Sequence, residues 1–175
     1  MISEQQAEMA IRSFRAALNE IVSDAKQPEG RNACILNLTR NDNEELFVYA
    51  YSSAKGLSKT ELQKLAERGF PIVEDVPEQL RKYACGGMGQ YHTEPRLINY
   101  FNARPGALEN MKTALLISEI DCCKTCMKYT VDLFVKANPL MEVYTDEYGK
   151  NPGRNQLPRF AFQGPAPYQM DTSNF

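Results

Sequence analysis

The sequence contains one histidine, five cysteines and no tryptophan among its 175 residues. A metal site or catalytic dyad that needs two histidines is therefore excluded within this chain. An odd number of cysteines argues against a complete disulfide framework. Three of the five, Cys122, Cys123 and Cys126, fall within five residues, and this clustering indicates metal binding rather than disulfide bonding.

Long apolar runs and a strong charge of one sign are also missing. No stretch approaches the roughly 18 apolar residues that a membrane span requires. The first residues carry Glu4 and Glu8 where a signal peptide would carry positive charge, so we expect no signal peptide and no membrane partner. The net charge is −2, from 20 basic and 22 acidic residues. This balance excludes nucleic-acid coating by bulk charge but leaves a local basic groove open.

Length and composition predict one folded domain with a distinct tail. A chain of 175 residues fits a single domain, and 43% hydrophobic residues are too many for intrinsic disorder. Residues 151–175 hold 4 of the 10 prolines and show little periodicity. We therefore expect one domain over residues 1–150 and a Pro-rich extended tail over residues 151–175.

Hydrophobic periodicity predicts the elements of an α/β domain. Apolar residues recur every three or four positions from Ala7 to Ala25, which predicts a helix over 2–25, with Ser3 and Gln6 as its capping box. The remaining pattern predicts, in order, strands Asn32–Leu38 and Glu45–Ser52 as a hairpin, a short helix from Ser58 to Gly69, a short strand Phe70–Val73, a helical turn from Pro77 to Tyr83, a helix from Thr93 to Pro105, a buried strand Thr113–Ile120, a helix from Asp121 to Pro139, and a strand Leu140–Tyr144. This order predicts a sandwich of two or three layers, with a mixed central sheet flanked by helices.

Two short motifs carry the chemistry. His92 and Glu94 stand at the start of one predicted helix, and Cys123 and Cys126 stand at the start of the next major helix. Both sulfurs of a Cys-x-x-Cys at a helix N-terminus can point at one ion, and the helix dipole favours thiolates. His92 would supply a third ligand and leave the fourth tetrahedral position open for water, as in catalytic zinc sites. Glu94 is then placed to exchange protons with that water and with the leaving group.

Together these motifs resemble the zinc-dependent cytidine deaminase superfamily, whose signature combines His-x-Glu with Cys-x-x-Cys. The neighbouring residues Thr93–Ile98 and Ser118–Cys123 resemble the bacterial toxin branch more than the nucleoside-salvage branch. The resemblance implies a cytidine-deaminase-like sandwich and Zn²⁺ as cofactor. It also implies hydrolytic deamination of cytosine, less often adenine, with Glu94 delivering protons to the ring nitrogen and to the departing ammonia.

The toxin branch implies further properties. Its members are usually the C-terminal part of longer secreted polypeptides, so we expect export within a larger protein, action in the target-cell cytoplasm and an immunity protein as partner. We favour single-stranded DNA as substrate, with RNA open, because a compact site needs an unpaired or flipped base. The alternatives are a deaminase of free nucleosides or nucleotides and a non-catalytic zinc module that binds a protein partner.

One residue departs from the family pattern. The family usually places proline immediately before the Cys-x-x-Cys, and this chain has Cys122 there. A second ligand set, Cys122 with Cys126, therefore stays open beside the preferred Cys123 with Cys126.

Other residues could contact substrate, and each also has a plainer structural explanation. Substrate contact competes with turn formation for Ser52 and Ser53, base stacking competes with core packing for Tyr91, and phosphate contact competes with a solvated helix face for Lys124 and Lys128. Arg159, Phe160 and Phe162 could grip a single strand or pack on the domain. Cys34 is expected in the core, and Cys85 in a loop.

Overall fold

The computed structural model describes residues 1–23, 31–81, 92–120, 140–148 and 160–162. These ranges contain three α-helices and five strands, namely α1 (Glu4–Ile21), β1 (Ala33–Arg40), β2 (Glu45–Tyr51), α2 (Lys59–Glu67), α3 (Thr93–Asn102), β3 (Met111–Ser118), β4 (Glu142–Glu147) and β5 (Phe160–Phe162). Two short 3-10 turns, Ala54–Gly56 and Glu78–Leu80, lie between them. The predicted α/β class is confirmed.

The strands form one mixed sheet in the order β2-β1-β3-β4-β5. Strand β1 pairs antiparallel with β2 and β3, whereas β3 and β4 are parallel, and the three-residue β5 runs antiparallel to β4. Parallel neighbours need a crossover connection. That connection runs through residues 121–139, where the sequence predicts a helix, and this prediction lies outside the described residues.

Helices cover both faces of the sheet, so the sandwich has three layers. Ala33 and Ile35 of β1 pack on one face with α1 and α2, together with Leu115 and Ile117 of β3. The alternate residues of both strands pack with α3 on the other face, namely Cys34, Leu36, Leu38, Ala114 and Leu116. Strands buried on both faces are expected to carry continuous apolar runs, which explains Ala33–Leu36 in β1 and Ala114–Ile117 in β3.

Helix α1 confirms the predicted capping box and buried face. The Ser3 hydroxyl accepts a hydrogen bond from the Gln6 amide, and the Gln6 side chain accepts one from the Ser3 amide. The helix ends at Ile21, short of the predicted residue 25, because Val22 turns to an extended conformation and buries its own side chain. No helix in the described ranges is long and apolar enough to cross a bilayer.

The β1–β2 hairpin is also confirmed, and local residues explain its turn. Asn43 adopts a φ of 68°, a left-handed conformation that asparagine tolerates better than most residues. The Asp42 carboxylate accepts a hydrogen bond of 3.1 Å from the Glu44 amide. These contacts join the strands over a short polar connection.

The short strand predicted over Phe70–Val73 is wrong. Only Ile72 makes a bridge, to Tyr49, and no ladder forms there. Pro71 has no N–H to donate to a strand neighbour, and the Phe70 ring packs in an aromatic cluster with Phe14 and Tyr49.

The last described strands also differ from the predicted ranges. Strand β4 begins two residues later than predicted and extends to Glu147, leaving Leu140 90% exposed. The helical turn predicted from Pro77 contains the 3-10 turn Glu78–Leu80, and its remainder lies outside the described residues.

Candidate functional site

The first turn of α3 carries an exposed imidazole beside a buried carboxylate. His92 is the N-cap residue of α3, and its side chain makes no capping hydrogen bond. Glu94, two residues further, is 3% exposed. Pro95 fits the first helical turn because its missing N–H would have no partner there. A carboxylate at this end is also favoured by the helix dipole.

Burial of α3 extends to its charged residues. Arg96 is buried and forms an ion pair with Asp75. Asp75 lies on the segment that precedes the helix, and its charge compensates for burying the Arg96 guanidinium.

Glu94 is contacted by one hydroxyl and lies beside one thiol. The Thr93 hydroxyl donates a hydrogen bond of 3.2 Å to Glu94 Oε2, and Thr93 itself is fully buried. Cys34 of β1 is also fully buried, and its thiol lies within hydrogen-bonding reach of the Thr93 and Ser118 side chains. Burial, and then the charge of Glu94, raise the pKa of the Cys34 thiol well above its ordinary value. Cys34 is therefore a neutral group beside the carboxylate.

Asn32 connects the start of α3 to the end of β3. Its Nδ2 atom donates to Thr93 Oγ1 and to Ser118 Oγ, each at 2.9 Å. Its Oδ1 atom accepts from the Ile120 amide at 3.2 Å. Ser118 in turn donates to the Ile120 carbonyl at 2.7 Å. One buried amide thus holds three elements at the same edge of the sheet.

Ser52 joins this network from the end of β2. The backbone N–H of Asn32 donates to Ser52 Oγ at 2.9 Å, and the backbone N–H of Ser52 donates to the backbone carbonyl of Asn32 at 3.0 Å. Ser53 is half-buried beside Tyr51. Burial raises the pKa of Tyr51, and the hydrogen bond with Ser53 acts in the opposite direction. Substrate contact by either serine stays a prediction.

An ion pair anchors the same edge from the α1 side. Arg15 Nε donates to Glu119 Oε1 at 2.7 Å, and Arg15 Nη2 donates to Oε2 at 2.5 Å. Glu119 Oε2 also accepts from the Ala33 amide at 3.1 Å. Burial lowers the pKa of Arg15, but the hydrogen bond and charge of Glu119 outweigh it, so the pKa is raised overall. Glu119 and Ile120, the two residues directly after β3, are therefore fixed from both faces of the sheet.

The structure describes only part of the predicted site. It brings His92, Glu94 and, through Asn32, Ser52 to one edge of the sheet. Of the remaining candidates, those outside the described residues are Tyr91, Cys122, Cys123, Lys124, Cys126, Lys128, Cys85 and Arg159. Within the described ranges, no group of three His, Cys, Asp or Glu side chains could hold a metal. The predicted donor set, one imidazole and two thiolates, is nevertheless of the type that tetrahedral zinc takes.

Comparison of the chain with family models, with curated proteins and with solved structures finds no match.

The sequence motifs do not predict several residues at this edge of the sheet. Asn32, Ser118 and Glu119 are polar residues at the ends of buried strands, and neighbouring strand ends meet at one edge of a sheet. That position is a usable signal, because polar groups buried there must pair with one another. Arg15 borders the apolar stripe of α1, and nothing in the sequence indicates its partner Glu119.

Proposed function

We propose that this chain is a zinc-dependent hydrolytic deaminase that converts cytosine to uracil in nucleic acid, with single-stranded DNA as its favoured substrate. The observation that carries the proposal is the burial of Glu94 two residues after the exposed His92. Such a pair gives a metal ligand open to solvent and a carboxylate shielded from it.

The surroundings of Glu94 favour a chemical role over a structural one. Burying a carboxylate costs free energy unless it is paired. Glu119 is paired with Arg15, whereas no Lys, Arg or His side chain in the described ranges forms an ion pair with Glu94. A buried carboxylate without a cationic partner is a candidate for proton transfer to a bound substrate.

The length of chain after Ile120 limits how far the thiol motif can lie from the segment that Asn32 holds. Asn32 bonds both to Thr93, next to Glu94, and to Ile120. Cys123 follows Ile120 by three residues in the sequence. A polypeptide extends by at most about 3.6 Å per residue, so the Cα atom of Cys123 is within about 11 Å of the Cα atom of Ile120. His92, Cys123 and Cys126 are the residues that would hold zinc, and bound zinc would supply a water with its pKa lowered toward about 7.

In this proposal the protein's own residues bind the base and move its protons. The Glu94 carboxylate accepts one proton from the attacking water and delivers it to the ring nitrogen. It then takes the second proton from the newly formed hydroxyl group on the ring carbon and delivers it to the departing amine, which leaves as ammonia. One carbon–oxygen bond forms and one carbon–nitrogen bond breaks, so water and cytosine give uracil and ammonia. The Thr93 hydroxyl fixes the Glu94 oxygen that does not receive the proton.

The substrate class follows from access to the base. A base stacked and paired in a duplex cannot enter a compact site, whereas an unpaired base can. Single-stranded DNA is therefore the first choice and RNA the second. An antibacterial toxin role, with an immunity protein as partner, belongs to the same proposal and rests on the residues around the two motifs.

A substrate panel tests the proposal. Purified, zinc-loaded protein is incubated with single-stranded DNA, duplex DNA, RNA and free cytidine, and uracil is detected by sequencing or chromatography. We expect uracil fastest in single-stranded DNA. Faster conversion of free cytidine would assign the chain to small-molecule deamination instead. Zinc binding without uracil from any substrate would reject the enzyme and support a zinc-binding interaction module.

A further inference from the structure

We infer that Asn32 is a positioning residue that fixes the start of α3, with His92 and Glu94, relative to Ile120, from which the chain leads to the cysteines of the proposed zinc site. The inference rests on the proposed function and adds a residue that neither motif contains. Asn32 immediately precedes β1 and is 9% exposed, so its side chain is surrounded by protein.

The hydrogen bonds of Asn32 fix its amide in one orientation. Both donor positions of Nδ2 are used, by Thr93 and Ser118, and Oδ1 accepts from Ile120. A rotated amide would place its NH₂ group against the Ile120 N–H, two donors facing each other. A residue whose donors and acceptor are all matched in this way is held rigidly.

The first arm of the network orients Glu94. Asn32 donates to Thr93 Oγ1, and Thr93 Oγ1 donates to Glu94 Oε2. Because Thr93 accepts a bond from Asn32, its hydroxyl proton is directed toward the carboxylate. Thr93 is β-branched and fully buried, so its side chain has little rotational freedom.

The second arm fixes the chain that leads to the thiols. The Ile120 amide bonds to Asn32 Oδ1, and the preceding Ser118 and Glu119 are also held, by Asn32 and Arg15. Cys123 lies three residues after Ile120 in the sequence. Asn32 therefore sets the position of His92 and Glu94 relative to the origin of the cysteine segment.

Asn37, a second buried asparagine, provides a matched control away from the proposed site. It is fully buried in β1, and its Nδ2 atom donates to Glu45 Oε2 at 2.7 Å. Glu45 begins β2, so this bond supports the hairpin and lies toward the opposite end of β1 from Asn32. Replacing either asparagine by alanine removes a buried amide from the protein, but only Asn32 lies at the proposed site.

The experiment measures zinc affinity by competition with a chromophoric chelator, and urea unfolding of the metal-free proteins. We expect Asn32→Ala to weaken zinc binding by about 10–100-fold, as loss of residues that orient metal ligands commonly does. Asn37→Ala is expected to lose stability but keep its zinc affinity. Equal zinc affinity in the wild type and Asn32→Ala, or an equal loss in both variants, would overturn the role of Asn32 and leave the proposed function standing. A wild-type protein that binds no zinc would reject the proposed function and this inference with it.

A second pair of variants decides the matter if Asn32→Ala does not fold. Thr93→Val removes the hydroxyl between Asn32 and Glu94, and Thr93→Ser retains it. We expect Thr93→Val to lower kcat with KM and zinc content unchanged, and Thr93→Ser to restore most of that loss. Equal kcat values in the two variants would show that the hydroxyl does not orient Glu94, and would overturn the inference.

Discussion

Three acidic side chains are buried in the described part of the chain, namely Glu94, Glu119 and Asp146. Glu119 is neutralised by Arg15, whereas Glu94 accepts a hydrogen bond from the hydroxyl of Thr93. The His-x-Glu motif identifies Glu94 as a candidate site residue but does not predict that it is buried, because burial depends on β1, β3 and α3 packing together. Asn32 shows most clearly what the sequence does not predict, since its four hydrogen-bond partners are distant in sequence and meet only in the folded chain.

Substitution of Glu94 by glutamine tests its chemical role. Glutamine keeps the shape of the side chain but cannot carry the proton, so kcat should fall by about 10²–10⁴-fold, the usual contribution of a general acid or base. Zinc content and unfolding midpoint should remain those of the wild type. Glu109→Gln, at an exposed position after α3, is the matched control and should keep its kcat. A Glu94→Gln protein with wild-type turnover would contradict the mechanism.

Cys34 should resist alkylation in the folded protein. Its burial and the nearby Glu94 raise its pKa, and the thiolate is the form that reacts with iodoacetamide. Peptide mapping at mildly alkaline pH should therefore find Cys34 labelled only when denaturant is present. Because the unfolded thiol ionises first, this residue also lowers stability as the pH rises past about 8.5. Equal labelling with and without denaturant would refute this description of Cys34.

Elements defined by local signals were predicted best. The capping box of Ser3, the hairpin of β1 and β2 and the apolar stripe of α1 each involve residues close in sequence. The strand predicted over Phe70–Val73 failed because Pro71 and the aromatic cluster decide that segment, and only the cluster involves distant residues. The start of β4 was missed for a related reason, since its register is set by pairing with β3.

Two glycines give a matched test of how α2 ends. Gly69 follows α2 with a φ of +91°, whereas Gly56 has no positive φ, and an added Cβ meets nothing within 4 Å at either site. Gly69→Ala should therefore destabilise the protein by about 1 kcal/mol through backbone strain alone. Gly56→Ala should be neutral or stabilising by up to about 1 kcal/mol, because it restricts the unfolded chain. Urea unfolding measures both, and equal effects of the two substitutions would contradict the assigned backbone conformations.

At the scale of the whole molecule, helices on both faces bury β1 and β3 and bring three strand ends to the edge that holds Glu94. The α/β class and the mixed sheet follow from the order of helices and strands. The strand order β2-β1-β3-β4-β5 does not, because pairing between distant strands leaves no periodic trace in the sequence. The proposal of a deaminase likewise comes from two short motifs rather than from the architecture.

The layer formed by α1 should be essential to the fold. Phe14 is fully buried, and its ring centroid lies 5.2 Å from that of Tyr49 and 5.5 Å from that of Phe70. Phe14→Ala should cost about 3–5 kcal/mol of unfolding free energy because it leaves a cavity between α1 and the sheet. Met9→Ala, on the same helix at 62% exposure, should change stability by less than about 0.5 kcal/mol. A small loss in Phe14→Ala would indicate that α1 does not pack on the sheet as described.

The central claim is that His92 and two cysteines hold a zinc ion with one position open. X-ray absorption at the zinc edge of the loaded protein tests it most directly. We predict two sulfur neighbours at about 2.3 Å and two nitrogen or oxygen neighbours at about 2.0–2.1 Å. Cys123→Ser should reduce the sulfur count to one, whereas Cys122→Ser should leave it at two. Four protein ligands around the ion, a third sulfur neighbour, or no bound zinc would contradict the claim.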